Sequence, residues 1–335
     1  MMDVRQKIKD WMLPIAMITG ASSYLLYHVM PEPVHRAGPF LDSLVALLQP
    51  LLIFSMLFLT FCRIEPRELK PHRWHWWLLL IQGGSFTLLG LGALVLMKRF
   101  PGADAIVLIQ SAMLCMICPT ATAAAVVTHK LGGDIPGITT YIVLINILAA
   151  MLVPLIVPMV APVAGLDFWM AFSMILAKVF PLLITPCLCA WLVRYLFPRI
   201  YRRILNVPDL AFYLWAVALT LAIAVTTKSI VHSQMSLSLL LWMSLISLVC
   251  CVFNFAAGRS IGGRYRPKRL QGALAGRADK KVTAGQSLGQ KNTVFAIWLG
   301  YTFLTPETAI IGGLYSIWHN IYNSWQLYRQ RKGVK

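Results

Sequence analysis

The stretch AGQSLGQKNTVFAIWLGYTF runs from Ala284 to Phe303. Its second half is apolar enough for hydrocarbon, yet its first half gathers Gln286, Ser287, Gln290, Lys291, Asn292 and Thr293 around Gly285 and Gly289. A charged residue at the centre of a spanning helix costs at least about 2.5–3.5 kcal/mol on insertion scales. Such a residue is kept where it has a partner or a task. A lysine could also snorkel to the surface on its four methylenes, but that role gives no reason for the amides and hydroxyls beside it.

The rest of the chain sets this stretch in a membrane. Hydrophobic residues make up 58 % of the 335, charged residues only 13 %, and mean hydropathy is +0.70. Soluble domains sit near 45–50 % apolar. Apolar runs of bilayer-spanning length follow one another. Ten segments are expected, at 11–30, 40–62, 74–97, 105–128, 136–161, 168–196, 210–227, 235–257, 284–305 and 309–327. The first is a spanning helix and not a cleaved leader, because so many follow it.

Lys and Arg test the division. With the N-terminus inside, 24 fall in inner connectors and tails, 4 in outer connectors, and Lys178 and Lys291 within spans. That bias predicts both termini in the cytoplasm. The net charge of +18 is therefore a topology and lipid-headgroup signal, and nucleic acid is not an expected partner. The basic, glycine-rich connector 258–283 reads as a lipid-facing loop. Trp74, Trp76 and Trp77 at one segment end, and Trp325 and Tyr328 at another, suit the interfaces. The compact chain, with no added domain, points to a bacterial inner membrane.

Seven cysteines lie in or beside apolar runs, and Cys115-x-x-Cys118 has no second pair. Packing is the expected role, and no metal site or cofactor is expected. No pair of residues suggests catalysis, so the chain does not read as an enzyme.

Ten spans divide into an inverted repeat of five plus five, over 11–161 and 168–327, as in many secondary transporters. The fourth and ninth segments occupy matching places. The fourth carries CMICPTATAAAVVTHKLGG (115–133), in which Pro119 interrupts an apolar helix. Paired interruptions at matching positions point to a binding site, because unwound backbone is tolerated only against protein or a wet cavity. The twelve acidic residues lie in connectors or at segment edges. The partner of Lys291 is thus an anion or backbone carbonyls. Lys178 either binds a substrate carboxylate or snorkels outward. Asn320, with His319 and Asn323, either lines an inner vestibule or joins helices.

CPTATAAAVVT (118–128) resembles the fourth-segment motif C-P-G-G-T-A-S-N-x-x-T of the bile acid:sodium symporter family. SLGQKNTVFAIWLG (287–300) resembles its ninth-segment motif E-x-G-x-Q-N-S-x-x-A, and GGLYSIWHNIYNS (312–324) its tenth segment. The likeness extends over essentially the whole chain. It implies an all-α carrier of organic anions. A panel domain of segments 1, 2, 6 and 7 would face a core domain of 3–5 and 8–10, with substrate near a crossing of segments four and nine.

The resemblance also exposes departures. The family's Ser-Asn pair falls on Ala124 and Ala125, its glutamate on Ser287 and its glutamine on Lys291. Asn292 is kept, and Thr293 replaces a serine. Methyl groups cannot coordinate sodium, so the departures argue against the two-sodium mechanism. Lys291 is expected to act as a tethered cation that braces the crossing through carbonyls and Thr120, Thr122 or Gln82. Facilitated, exchange-type and proton-coupled transport remain open. Sodium coupling through other ligands such as Thr139 and Thr140, and an anion channel, are the rival readings.

Overall fold

A computed structural model describes residues 4–31, 36–162, 165–207, 210–233, 235–265 and 279–332. Regular structure among them is helical apart from one isolated bridge. The helices are α1 (Val4–His28), α2 (Gly38–Cys62), α3 (Arg73–Arg99), α4 (Asp104–Ile117), α5 (Ala124–Lys130), α6 (Ile135–Val160) and α7 (Phe168–Leu196), followed by α8 (Pro198–Leu205), α9 (Leu210–His232), α10 (Leu237–Arg264), α11 (Lys280–Gly289), α12 (Thr293–Phe303) and α13 (Pro306–Arg331).

Six of them, α2, α3, α6, α7, α9 and α10, are long and apolar enough to cross a bilayer unbroken. Of the other expected segments, α13 is rich in polar residues, and the fourth and ninth are each divided into two short helices. Pro154 and Pro158 in α6, and Pro181 and Pro186 in α7, leave their helices continuous. Side-chain caps start several helices. Asp134, Asp167, Ser236, Asp279, Asn292 and Thr305 each accept from a backbone N–H of the first turn, worth about 1 kcal/mol apiece.

Two boundaries differ from expectation. Residues 258–264, read as loop, continue α10, and α11 begins at Lys280. The cause is close helix packing. A Cβ at Gly258 would lie 2.3 Å from the Ala284 carbonyl oxygen, and one at Gly262 would lie 2.2 Å from that of Lys280. These glycines let α10 and α11 meet backbone to backbone. The remainder of the basic connector, 266–278, lies outside the described residues. At the start of α3, Trp76 and Trp77 face outward, whereas Trp74 is fully buried against His75 and Tyr141.

Contacts group the connectors into two ends. At one, Arg194 pairs with Glu65 at 2.9 Å and donates to the Ile64 carbonyl. Tyr201 of α8 donates to the Cys62 carbonyl, His75 meets the Gly137 carbonyl, and the Asp134 N–H donates to Thr283. At the other end Lys228 pairs with Asp42, and Tyr24 meets His232. α1 packs on α9, and α2 packs on α7 and α9. α3, α4 and α6 pack together and meet α10 to α13 through α4 and α11.

Candidate functional site at the crossing of two broken helices

The first break follows from Pro119, which lacks an N–H and forces Cys118 into an extended conformation (φ −51°, ψ 128°). The second spans Gln290 to Asn292, where Gln290 is extended (φ −89°, ψ 99°). The unwound strands meet as an antiparallel bridge, with Thr120 opposite Lys291. The Ala121 N–H donates to the Gln290 carbonyl at 2.9 Å, and the Asn292 N–H donates to the Pro119 carbonyl at 2.8 Å. Each break thus answers part of the other's freed backbone.

The carbonyls at the C-terminal ends of α4 and α11 need further donors. Lys291 Nζ donates to the Met116 carbonyl at 3.1 Å. Gln82 Nε2 donates to the carbonyls of Ile117 at 3.2 Å and Cys118 at 2.8 Å, while its Oε1 accepts from Tyr141. For α11, Thr120 Oγ1 donates to the Ser287 carbonyl at 2.5 Å, and Tyr315 donates to that of Gly289 at 2.8 Å. Asn254 in turn donates to the Tyr315 hydroxyl at 3.2 Å.

Lys291 is 2 % exposed, and its ammonium does not reach a membrane surface. It sits against the C-terminal end of α4, where the helix dipole presents partial negative charge. Its electrostatic neighbours are the thiols of Cys115, Cys118, Cys250 and Cys251. Among the described residues no carboxylate pairs with it.

Most of the residues singled out from sequence converge here. Gln82, Thr120, Ser287, Gln290, Lys291, Asn292 and Thr293 are all buried at the crossing. The Asn292 side chain accepts from the Phe295 N–H and caps α12. Ser287 Oγ and Gln290 Oε1 are buried and have no hydrogen-bond partner among the described residues. Ala124 is buried at the start of α5, and Ala125 and Thr122 are half-buried beside it.

Two candidates stand apart. Lys178 is exposed on α7 with its Nζ 5.6 Å from the Phe303 ring. Phe303 ends α12, about 15 Å along the helix from the crossing at 1.5 Å per residue. Asn320 donates to the carbonyl and hydroxyl of Ser316 on its own helix. Sequence reasoning did not single out Tyr141 or Tyr315, because nothing local marks a tyrosine that will donate across helices.

A cavity of about 10 Å³ lies against the crossing, lined by residues including Cys118, Lys291, Thr293 and Tyr315. That is the room of about one water molecule, so this cavity is too small for an organic solute. Among the described residues no cluster of three or more His, Cys, Asp or Glu side chains could hold a metal ion.

A search among curated proteins found no match. The model of the SBF-like CPA transporter family matches residues 12–327. With the match running from within α1 to within α13, the chain belongs to the SBF-like CPA transporter family.

Proposed function

We propose that this transporter-family protein is an alternating-access carrier of organic anions, with Lys291 as a tethered cation where related carriers bind sodium. One observation carries the reading: the Lys291 ammonium is buried at the crossing and donates to the Met116 carbonyl. It takes the position of a cation at a helix C-terminus, and it answers a carbonyl rather than a bound anion. The departures at Ala124, Ala125 and Ser287 from the sodium symporter motifs fit the same idea, since oxygen ligands go as a fixed positive charge arrives.

Ten spans in a five-plus-five inverted repeat are the proposed architecture, over 11–161 and 168–327. Two broken segments at matching places, with Thr120 opposite Lys291, support it. In this reading α1, α2, α7 and α9 form the panel, and α3–α6 with α10–α13 form the core that rocks against it. Both termini are proposed to be cytoplasmic on the strength of the basic connectors and tails, and a bacterial inner membrane is the proposed location. Membrane lipids are the expected surroundings.

The sodium-coupled alternative needs other ligands, and observation disfavours those named. Thr139 and Thr140 both donate to carbonyls of their own first turn. The channel reading is disfavoured by the closed packing at the crossing.

Sodium-dependent stability of the purified protein tests the proposal, read against potassium and across a panel of organic anions. The wild-type unfolding temperature is expected to be indifferent to sodium. Lys291→Gln is expected to gain a sodium-dependent rise. Sodium at ten times its dissociation constant would add about 1.4 kcal/mol, or roughly 2 °C for a chain of this length. Sodium-stimulated uptake by the wild type in proteoliposomes, or sodium stabilisation equal in both proteins, would overturn the reading.

A further inference from the structure

A second polar region runs away from the crossing along α13. Tyr315, His319, Asn323 and Gln326 are spaced i, i+4, i+8 and i+11, which puts them on one helix face. They are only 2 %, 5 %, 5 % and 9 % exposed. Asn254 of α10 and Gln286 of α11 join them at 0 % and 1 %. Gln286 Nε2 donates to Asn323 Oδ1 at 3.0 Å and to Gln326 Oε1 at 2.7 Å. At the inner end, Tyr315 connects to Gly289 and so to the crossing.

Several atoms in this seam have no hydrogen-bond partner among the described residues. They are Asn254 Oδ1, Gln286 Oε1, His319 Nδ1 and Asn323 Nδ2, with Ser287 Oγ nearby on α11. A buried polar group left unmade costs about 1–3 kcal/mol, so a run of them in one seam needs a common answer. The chemistry of the set identifies it. Amide oxygens want donors, and an amide nitrogen wants an acceptor. A cation would serve only the oxygens, and an anion only the nitrogen. Water does both, and a buried water typically makes about three such bonds.

We propose that this seam holds a file of ordered water along the Tyr315–His319–Asn323–Gln326 face of α13. The file gives the crossing aqueous access from the C-terminal end of that helix. Each four-residue step advances about 6 Å, which one or two waters at hydrogen-bonding distance bridge. The seam meets the small cavity at Tyr315, which lines that cavity and donates to the Gly289 carbonyl at the crossing. Protons can therefore reach the broken helices while the route for larger solutes is shut. This holds whatever the transported solute is.

X-ray radiolytic footprinting after rapid mixing into ¹⁸O-water tests it on the intact protein. Radicals form where water is ordered, so Tyr315 and His319 are expected to take up label. Phe61, Phe86 and Phe295, equally buried in apolar packing, are the dry controls and are expected to stay unlabelled. Asn323→Leu plugs the seam and is expected to abolish labelling at His319 and Tyr315. Should that variant fail to fold, incorporation of ¹⁸O in the wild type still reports exchange between the seam and bulk water. Tyr315 and His319 as silent as Phe86, or labelling that survives in folded Asn323→Leu, would overturn the proposal.

Discussion

The two breaks at the crossing share a backbone plan and differ in how their freed carbonyls are answered. At the end of α4, three consecutive carbonyls are met by two long side chains, Gln82 from α3 and Lys291 from the opposite break. At the end of α11 the partners are hydroxyls, Thr120 and Tyr315. The first break is answered by amide and ammonium groups fixed from both halves of the chain. The second borders a seam of unmatched polar atoms. Matching geometry thus does not imply matching chemistry. The α4 end is a rigid cation-holding terminus, and the α11 end is the one that water can serve.

The largest expected effect breaks the α4 side. Gln82→Leu keeps side-chain volume but strands the carbonyls of Ile117 and Cys118 and the hydroxyl of Tyr141. At about 1–3 kcal/mol for each stranded group, the loss is at least about 3 kcal/mol. Tryptophan-fluorescence unfolding of the purified protein should show a drop of roughly 4 °C or more. A small drop would mean that water reaches α4 as well, and the contrast between the breaks would fail.

Thr120→Val comes next, because it removes one donor and keeps the shape. The Ser287 carbonyl, buried at the bridge, loses its partner for about 2 kcal/mol. Tyr315→Phe removes the donor to Gly289 and the acceptor of Asn254, two bonds to the single bond of Thr120. On a dry reading it would be the costlier change. With water available in the seam its cost falls to about 1 kcal/mol, the low end for a replaced hydrogen bond. The order of these two variants, read in the same unfolding assay, is therefore a direct measure of where the crossing is wet.

What could be read from the sequence follows the same division between local and distant physics. Apolar runs and the breaks at Pro119 and at Gly289 to Asn292 are local signals, because a missing N–H or a polar cluster acts on its own segment. The donors that complete the breaks are not local. Lys291 meets a carbonyl 175 residues away, and Gln82 meets one 36 residues away. Gln82 was singled out only through its polarity in an apolar run, and Tyr315 not at all. Gly258 and Gly262 misled in a different way. Glycine usually marks a loop, but here it permits close contact between α10 and α11.

The smallest expected effect concerns the other lysine. Lys178 and Lys291 look alike in sequence, each an ammonium inside an expected span. In the folded chain one is nearly solvent-free at the crossing, and the other lies exposed beside the Phe303 ring. A cation at an exposed site beside a ring contributes about 0.5–1 kcal/mol, and removing the charge also relieves the cost of holding it near hydrocarbon. Lys178→Gln should therefore leave unfolding within about 0.5 kcal/mol of the wild type, with no sodium dependence gained. If it behaved like Lys291→Gln, the sodium response would follow intramembrane charge in general. The place of Lys291 at the end of α4 would then carry no special weight.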